Sequence, residues 1–184
     1  SMYRTAILKS AGGWSTRTLA EDMDLTWTFY QKKYDVRFIP EAVCYPIEPN
    51  DFNFMGKQLR RWSHGFVQNV QLHWKGLLGV QYLRSMIAVS LWDAVVASIV
   101  YLILLPLLAI AFRNPYLLIG YVIDIPALVV PTLFKAISRK EGLKLLMSLP
   151  SFFVLRTVNG IFMLEALWSE VVIKKSFCVY EKGH

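Results

Sequence analysis

Residues 86–112 read MIAVSLWDAVVASIVYLILLPLLAIAF, and this run decides what kind of protein the chain can be. Only Asp93 interrupts it, and it exceeds the roughly 20 apolar residues that cross about 30 Å of hydrocarbon. Arg113-Asn114-Pro115 then turns the chain round. A second apolar stretch, Tyr116 to Phe134, is broken by Asp124, Pro126 and Pro131, which predicts a kinked or irregular helix. Leu143 to Ile173 is too long for one straight span and carries Pro150 near its start. That pattern predicts an interfacial helix followed by a span from about Ser151. Residues 85–184 are therefore expected to form a transmembrane region with about three spans.

Composition agrees. The chain has 184 residues and is 55% hydrophobic, above the roughly 45–50% of soluble domains, so an ordinary soluble domain is excluded. Its net charge of +7 suits either nucleic acid or an anionic membrane surface. Position decides for the membrane. Lys57, Arg60, Arg61, Lys75 and Arg84 precede the long apolar run, and Lys135, Arg139, Lys140 and Lys144 lie between later ones, as cytoplasmic juxtamembrane residues do. With both regions cytoplasmic, three single crossings would leave Lys174 and Lys175 outside, so the tail breaks this tendency or the last region holds a further crossing. No nucleic-acid signature accompanies the charge. Cys44 and Cys178 make neither a disulfide framework nor a metal-ligand spacing.

Upstream of the apolar runs, Leu8 to Pro46 reads as the later part of an α/β domain. Gly12-Gly13 marks a tight turn, and Met23 to Lys32 suits a helix packed on one side. Val36-Arg37-Phe38-Ile39, closed by Pro40, and Ala42-Val43-Cys44-Tyr45, closed by Pro46, read as short strands. Asn50 or Asp51 caps a helix whose Phe54, Met55, Leu59, Trp62, Phe66 and Val70 recur at helical spacing through to His73. Its other face is basic, as in helices that lie in a membrane interface.

Two constellations carry chemistry. Glu21-Asp22, with Asp24 close behind, supplies carboxylates for general-base or metal work, or else simply caps the helix at Met23. Gln58, Arg61 and Trp62 are related as i, i+3 and i+4 and share one helix face. An amide, a planar cation and an indole suit a ligand with hydroxyls, phosphate and the flat C–H face of a sugar. The alternative is an interfacial Trp flanked by snorkelling arginines. His64, His73 and His184 have no metal-ligand spacing. Asp93, Asp124, Arg156 and Glu165 fall in apolar surroundings, where ionisable groups pair or line a polar path.

Taken together, Gly12-Gly13-Trp14, Leu19-Ala20-Glu21-Asp22-Met23-Asp24-Leu25, Pro40-Glu41-Ala42 and Gln58-x-x-Arg61-Trp62 resemble the second half of the catalytic domain of processive family-2 glycosyltransferases. Cellulose, hyaluronan, chitin-oligosaccharide and poly-N-acetylglucosamine synthases belong there. The resemblance covers roughly the first seventy-five residues by motif and the rest by architecture. It implies an α/β fold, with a partial GT-A-type nucleotide-sugar transferase domain over 1–50, an interfacial segment with the QxxRW motif over 51–84, and α-helical transmembrane segments after it.

By the same resemblance Asp22 is the catalytic base, and Glu21, Gly13, Trp14, Gln58, Arg61 and Trp62 bind substrate. Asp22 takes the proton of the acceptor hydroxyl, Trp62 stacks on the terminal sugar, Arg61 neutralises the leaving diphosphate and Gln58 lies at the acceptor or diphosphate. The implied donor is a UDP-sugar and the acceptor a polysaccharide or lipid. A divalent metal, Mg or Mn, is implied with ligands mostly outside this chain, because the family's uracil-contacting Asp and Asp-x-Asp site find no counterpart here. The chain is accordingly expected to be a fragment, inactive alone. Its expected setting is a lipid bilayer, the bacterial plasma (inner) membrane, with the catalytic part cytoplasmic, an accessory subunit as partner and no nucleic acid. The phrasing around Asp22 and Ile39-Pro40-Glu41-Ala42 is most similar to poly-N-acetylglucosamine synthases. A non-processive lipid glycosyltransferase and an inactive membrane adaptor remain the alternatives.

Overall fold

A computed structural model describes residues 2–39, 41–44, 51–122 and 125–177. The expectations for Pro40, Tyr45, Pro46, Asn50, Asp124, Cys178 and His184 lie outside these residues. Among those described, helices are α1 (Thr5–Ser10), α2 (Glu21–Gln31), α3 (Phe52–Leu77), α4 (Gln81–Ala111), α5 (Ile125–Ser138) and α6 (Gly142–Ile173), with a 3₁₀ segment at Pro115–Val122. Three π-helical stretches interrupt the α geometry, Trp92–Val96 and Val100–Leu104 in α4 and Trp168–Ile173 in α6.

The expected α/β fold is not what forms. No strand occurs among the described residues, and 36–39 and 42–44 have no regular structure. Phe38 and Val43 are exposed. A short β-branched or aromatic run becomes a strand only where a neighbouring strand satisfies its backbone groups, and none of the described residues offers that ladder.

The chain divides into two compact units. One lies within Ser1–Leu91 and Glu165–His184, the other within Trp92–Leu164. In the first, α2 shows why its sequence is helical and where it packs. Met23, Trp27 and Tyr30 follow i, i+4, i+7 and join Phe66 and Val70 of α3, Val80 just before α4, and Leu83, Ile87 and Leu91 in its first turns in one core. Trp27 and Leu83 are buried, and an aromatic side chain buried this way contributes roughly 2–3 kcal/mol. Phe29 emerges on another side and meets Tyr3 and Tyr34 edge-on, with ring centroids 5.9 and 5.4 Å away. The glycine pair ends α1: Gly12 and Gly13 take φ of +90° and +80°, and their amides donate back to the Lys9 and Leu8 carbonyls. This is the paired 5→2 and 6→1 bonding of a glycine helix stop.

Four other helix ends use a basic residue at positive φ instead: Lys33, Arg113, Lys140 and Lys174, at 60°, 48°, 60° and 58°. A cation there complements the helix C-terminus. The left-handed backbone costs a residue with a Cβ about 1 kcal/mol.

In the second unit, Arg156 of α6 donates to Asp93 of α4 at 3.1 Å and lies over the Tyr101 ring at 5.1 Å. Two of the four ionisable groups expected to line a path or pair, Asp93 and Arg156, are thus paired. Small residues permit close packing nearby, since a Cβ on Gly160 would come within 3.0 Å of the Leu102 side chain and 3.4 Å of Ser98 Oγ. The Tyr121 hydroxyl donates to the Tyr101 carbonyl at 2.6 Å while their rings stack. By length and composition, α4 and α6 are both long and apolar enough to cross a membrane.

Candidate active site on helix α3

Helix α3 starts at Asp51, whose carboxylate accepts the Phe54 amide at 2.7 Å, one of the two caps the sequence suggested. It runs 26 residues without proline. Gln58 and Arg61 are half-buried on it, and Trp62 is 52% exposed. Helical spacing continues their face into Gly65 and then Gln68 and Asn69.

That second group holds the loop before α2. A Cβ on Gly65 would come within 2.8 Å of Ala20 Cβ and 2.9 Å of its nitrogen, so the glycine is what lets the loop touch the helix. The Leu19 amide donates to Gln68 Oε1 at 3.0 Å, and Asn69 Nδ2 donates to the Ala20 carbonyl at 3.1 Å. Asn69 Nδ2 also reaches the Gly65 carbonyl at 2.8 Å and Thr18 Oγ1 at 3.3 Å. Ala20 is the N-cap of α2, and Glu21 and Asp22 are its first residues. The structure therefore seats the residues just before the Glu21-Asp22 pair on α3, at Gly65, Gln68 and Asn69. Gly65 follows Trp62 by about one helical turn.

The acidic cluster separates into unlike members. Asp22 is exposed, and its Oδ1 accepts the Met23 amide at 2.8 Å. Neither it nor Asp24 is the cap, since Ala20 occupies that place without a side-chain bond. Asp24 is only 1% exposed and holds the helices together. Arg17 donates to both its oxygens at 2.8 Å, and His73 Nε2 lies 2.5 Å from Oδ1. Gln31 Nε2 lies 3.1 Å from His73 Nδ1 and also points at the His73 carbonyl, so the amide donates to Nδ1 and the imidazole proton sits on Nε2, facing Asp24. Burial alone would raise the Asp24 pKa; the hydrogen bonds from Arg17 and His73, reinforced by charge, outweigh it and hold the carboxyl below its ordinary value. The same bond raises the Arg17 pKa, with the Asp24 charge adding to it against partial burial.

Gly13 and Trp14 are placed elsewhere. Trp14 is exposed and stands edge-on to Tyr3 at 5.2 Å, on the Phe29 side of α2 and not on the Trp27 side that packs against α3. Among the described residues no three His, Cys, Asp or Glu side chains gather as a metal ion would require. With Asp24 engaged by Arg17 and His73, the residues described do not by themselves make a metal site.

Sequence reasoning missed the buried polar set on α3. His64 Nδ1 lies 2.9 Å from Glu170 Oε1, and Gln68 Nε2 donates to the same oxygen at 2.8 Å. Arg60, which is no part of the Gln-x-x-Arg-Trp pattern, pairs with Glu165 and lies over the Phe177 ring at 4.7 Å. The available signal was the run of Ser63, His64, Gln68, Asn69 and His73 on a helix otherwise patterned with apolar residues. The partners of His64, Gln68, Asn69 and His73 lie far away in sequence.

The family model described as glycosyl transferase family group 2 matches residues 1–133. The chain is 37% identical over 62 residues to the probable glycosyltransferase YdaM of Bacillus subtilis, covering 34% of this chain and 15% of the relative. It is 38% identical over 72 residues to the uncharacterized glycosyltransferase YaiP of Escherichia coli, covering 39% and 18%. To the poly-beta-1,6-N-acetyl-D-glucosamine synthase of Staphylococcus epidermidis it is 28% identical over 65 residues, covering 35% and 16%. The chain thus spans less than a fifth of the length of these curated relatives. No solved structure matches it. With most of its length matched by that model, the chain belongs to glycosyl transferase family group 2.

Proposed function

We propose that this chain is the acceptor-side part of a membrane-bound, inverting glycosyltransferase that extends a polysaccharide from a UDP-sugar donor. The observation that carries the reading is the seating of Leu19 and Ala20 on Gly65, Gln68 and Asn69, about one turn along α3 from Trp62. A base must lie within reach of the hydroxyl it deprotonates, and this seating ties the start of α2 to Gly65, the helix position one turn on from the exposed indole.

Asp22 then takes the acceptor proton while the acceptor oxygen attacks the anomeric carbon and the bond to the diphosphate breaks on the opposite face. The configuration inverts. Trp62 offers its exposed ring to the terminal sugar, Arg61 draws charge from the leaving diphosphate, and Gln58 bonds the acceptor or the diphosphate. Asp24 takes no part in proton transfer, because Arg17 and His73 occupy its carboxylate. Glu21 supports the loop. The apolar helices α4 and α6 anchor the enzyme in a bilayer and flank the polymer's way out. Resemblance to a poly-N-acetylglucosamine synthase makes N-acetylglucosamine the first sugar to test.

The test uses the complete enzyme carrying this chain, in proteoliposomes with UDP-N-acetylglucosamine. Asp22→Asn should abolish UDP release, and Trp62→Ala should shorten the product. Substantial transfer by Asp22→Asn would refute the base assignment. A product carrying a single sugar on lipid would replace the polymerase reading by that of a lipid glycosyltransferase.

A further inference from the structure

Gln68 joins two distant parts of the chain through one buried amide. Its Oε1 accepts the Leu19 amide at 3.0 Å, while its Nε2 donates to Glu170 Oε1 at 2.8 Å and to the Phe177 carbonyl at 3.0 Å. Chemistry fixes this orientation. A carboxylate and a carbonyl only accept, so the NH₂ must face Glu170 and Phe177, which leaves the oxygen for the Leu19 N–H. Reversing the amide would set oxygen against oxygen on one side and donor against donor on the other.

Glu170 is itself held firmly. It is 4% exposed, and its Oε1 also takes the Phe177 amide at 3.0 Å and faces His64 Nδ1 at 2.9 Å. Ser176 donates to Oε2 at 3.1 Å, and Gln71 donates to the Glu170 backbone carbonyl at 3.3 Å. Glu170 sits in the π-helical last stretch of α6, just before Lys174 turns the backbone left-handed. The end of α6 and Leu19, in the loop that leads into α2, are therefore two bonds apart, through a side chain with no alternative way to satisfy both.

We infer that Gln68 and Glu170 are positioning residues, which set the Leu19–Ala20 loop, and with it the start of α2, from the end of α6 and so make the turnover of the transferase depend on how that helix ends. The inference rests on the reading of Asp22 as the base. Neither residue touches substrate; each acts through the Leu19 amide. Gln68→Leu removes the acceptor for Leu19, and Glu170→Ala removes the group that orients the amide, so both release the same loop.

The test compares Gln68→Leu, Glu170→Ala and the double variant with Asp22→Asn in the complete enzyme, reading UDP release from UDP-N-acetylglucosamine. Each single variant should lower kcat about tenfold, matching the loss of a hydrogen bond worth roughly 1.4 kcal/mol, with KM for the donor nearly unchanged. The double variant should be no worse than the worse single one, because one loop is released once. Glu170→Gln keeps an acceptor oxygen and should recover most of the kcat lost in Glu170→Ala. Hydrogen exchange at the Leu19 amide should quicken in both Gln68→Leu and Glu170→Ala. Unchanged kcat in both single variants, multiplicative losses in the double, or Glu170→Gln as impaired as Glu170→Ala would overturn the inference. Full activity in Asp22→Asn would instead overturn the underlying assignment of the base.

Discussion

Gly65 and Ala20 stand so close that any side chain at position 65 would begin 2.8 Å from Ala20 Cβ and 2.9 Å from its backbone nitrogen. The neighbour is backbone, which cannot swing aside as the tip of a flexible side chain could. Gly65→Ala should push the Leu19–Ala20 loop away from α3 and cost about 1–3 kcal/mol of stability. Transfer by the complete enzyme should fall at least tenfold while circular dichroism shows the helices intact. Wild-type transfer in this variant would mean that the contact does not matter.

Asp24 makes stability depend on acid, and the direction follows from its lowered pKa. Its folded value lies below the ordinary 3.8, so between the two values the unfolded chain binds the extra proton. The stabilisation is complete above about pH 4 and is lost as pH falls through the lowered folded value. Thermal melts in detergent should show this loss in the wild type. Asp24→Asn should lower stability at neutral pH by about 2–4 kcal/mol, because Arg17 and His73 lose their charged partner, and should flatten the acid dependence. An equally steep acid limb in Asp24→Asn would assign the effect to another carboxylate.

Asp93 and Arg156 form a pair between two helices apolar enough to enter lipid. Breaking one side leaves a charge in poor solvent, whereas removing both does not. Asp93→Asn should lower the melting temperature in detergent more than the Asp93→Asn/Arg156→Gln double variant does. A double variant showing the sum of two single losses would contradict the coupling.

Lys33 closes α2 at φ 60°, a backbone shape that suits glycine better than lysine. Lys33→Gly should therefore stabilise by a few tenths to about 1 kcal/mol, seen as a rise in melting temperature. A fall would mean that the lysine's charge at the helix end outweighs its strain.

The helices were readable where their apolar residues repeat. Trp27 and Phe29 sit on the helix that Leu25 and its aromatic neighbours announce, and Asp51 caps α3 as its position suggests. Val36–Ile39 misled because its residues suit a strand, and strand propensity says nothing about whether a partner strand is there. The two chemical constellations were legible as motifs, but the grip of α3 on the loop before α2 was not. Gln68 and Asn69 reach Leu19 and Ala20 across 49 residues, and His64 reaches Glu170 across 106. Polar residues on a helix read as surface until those partners are seen, which is why His64 and His73 looked scattered. Asp22 and Asp24 are equally acidic in sequence; only the arrival of Arg17 and His73 at one of them makes them different.

The unbroken course of α3 has a consequence for how this protein can change over time. Trp62 and Gly65 keep their mutual bearing because the helix between them has a fixed pitch, whatever their neighbours are. Substitutions around them can be absorbed one at a time. A single inserted or deleted residue would swing one group about 100° away from the other, turning the exposed indole away from the face that holds the loop. Selection on this segment therefore acts on counting as well as on chemistry, and length should be its least negotiable property.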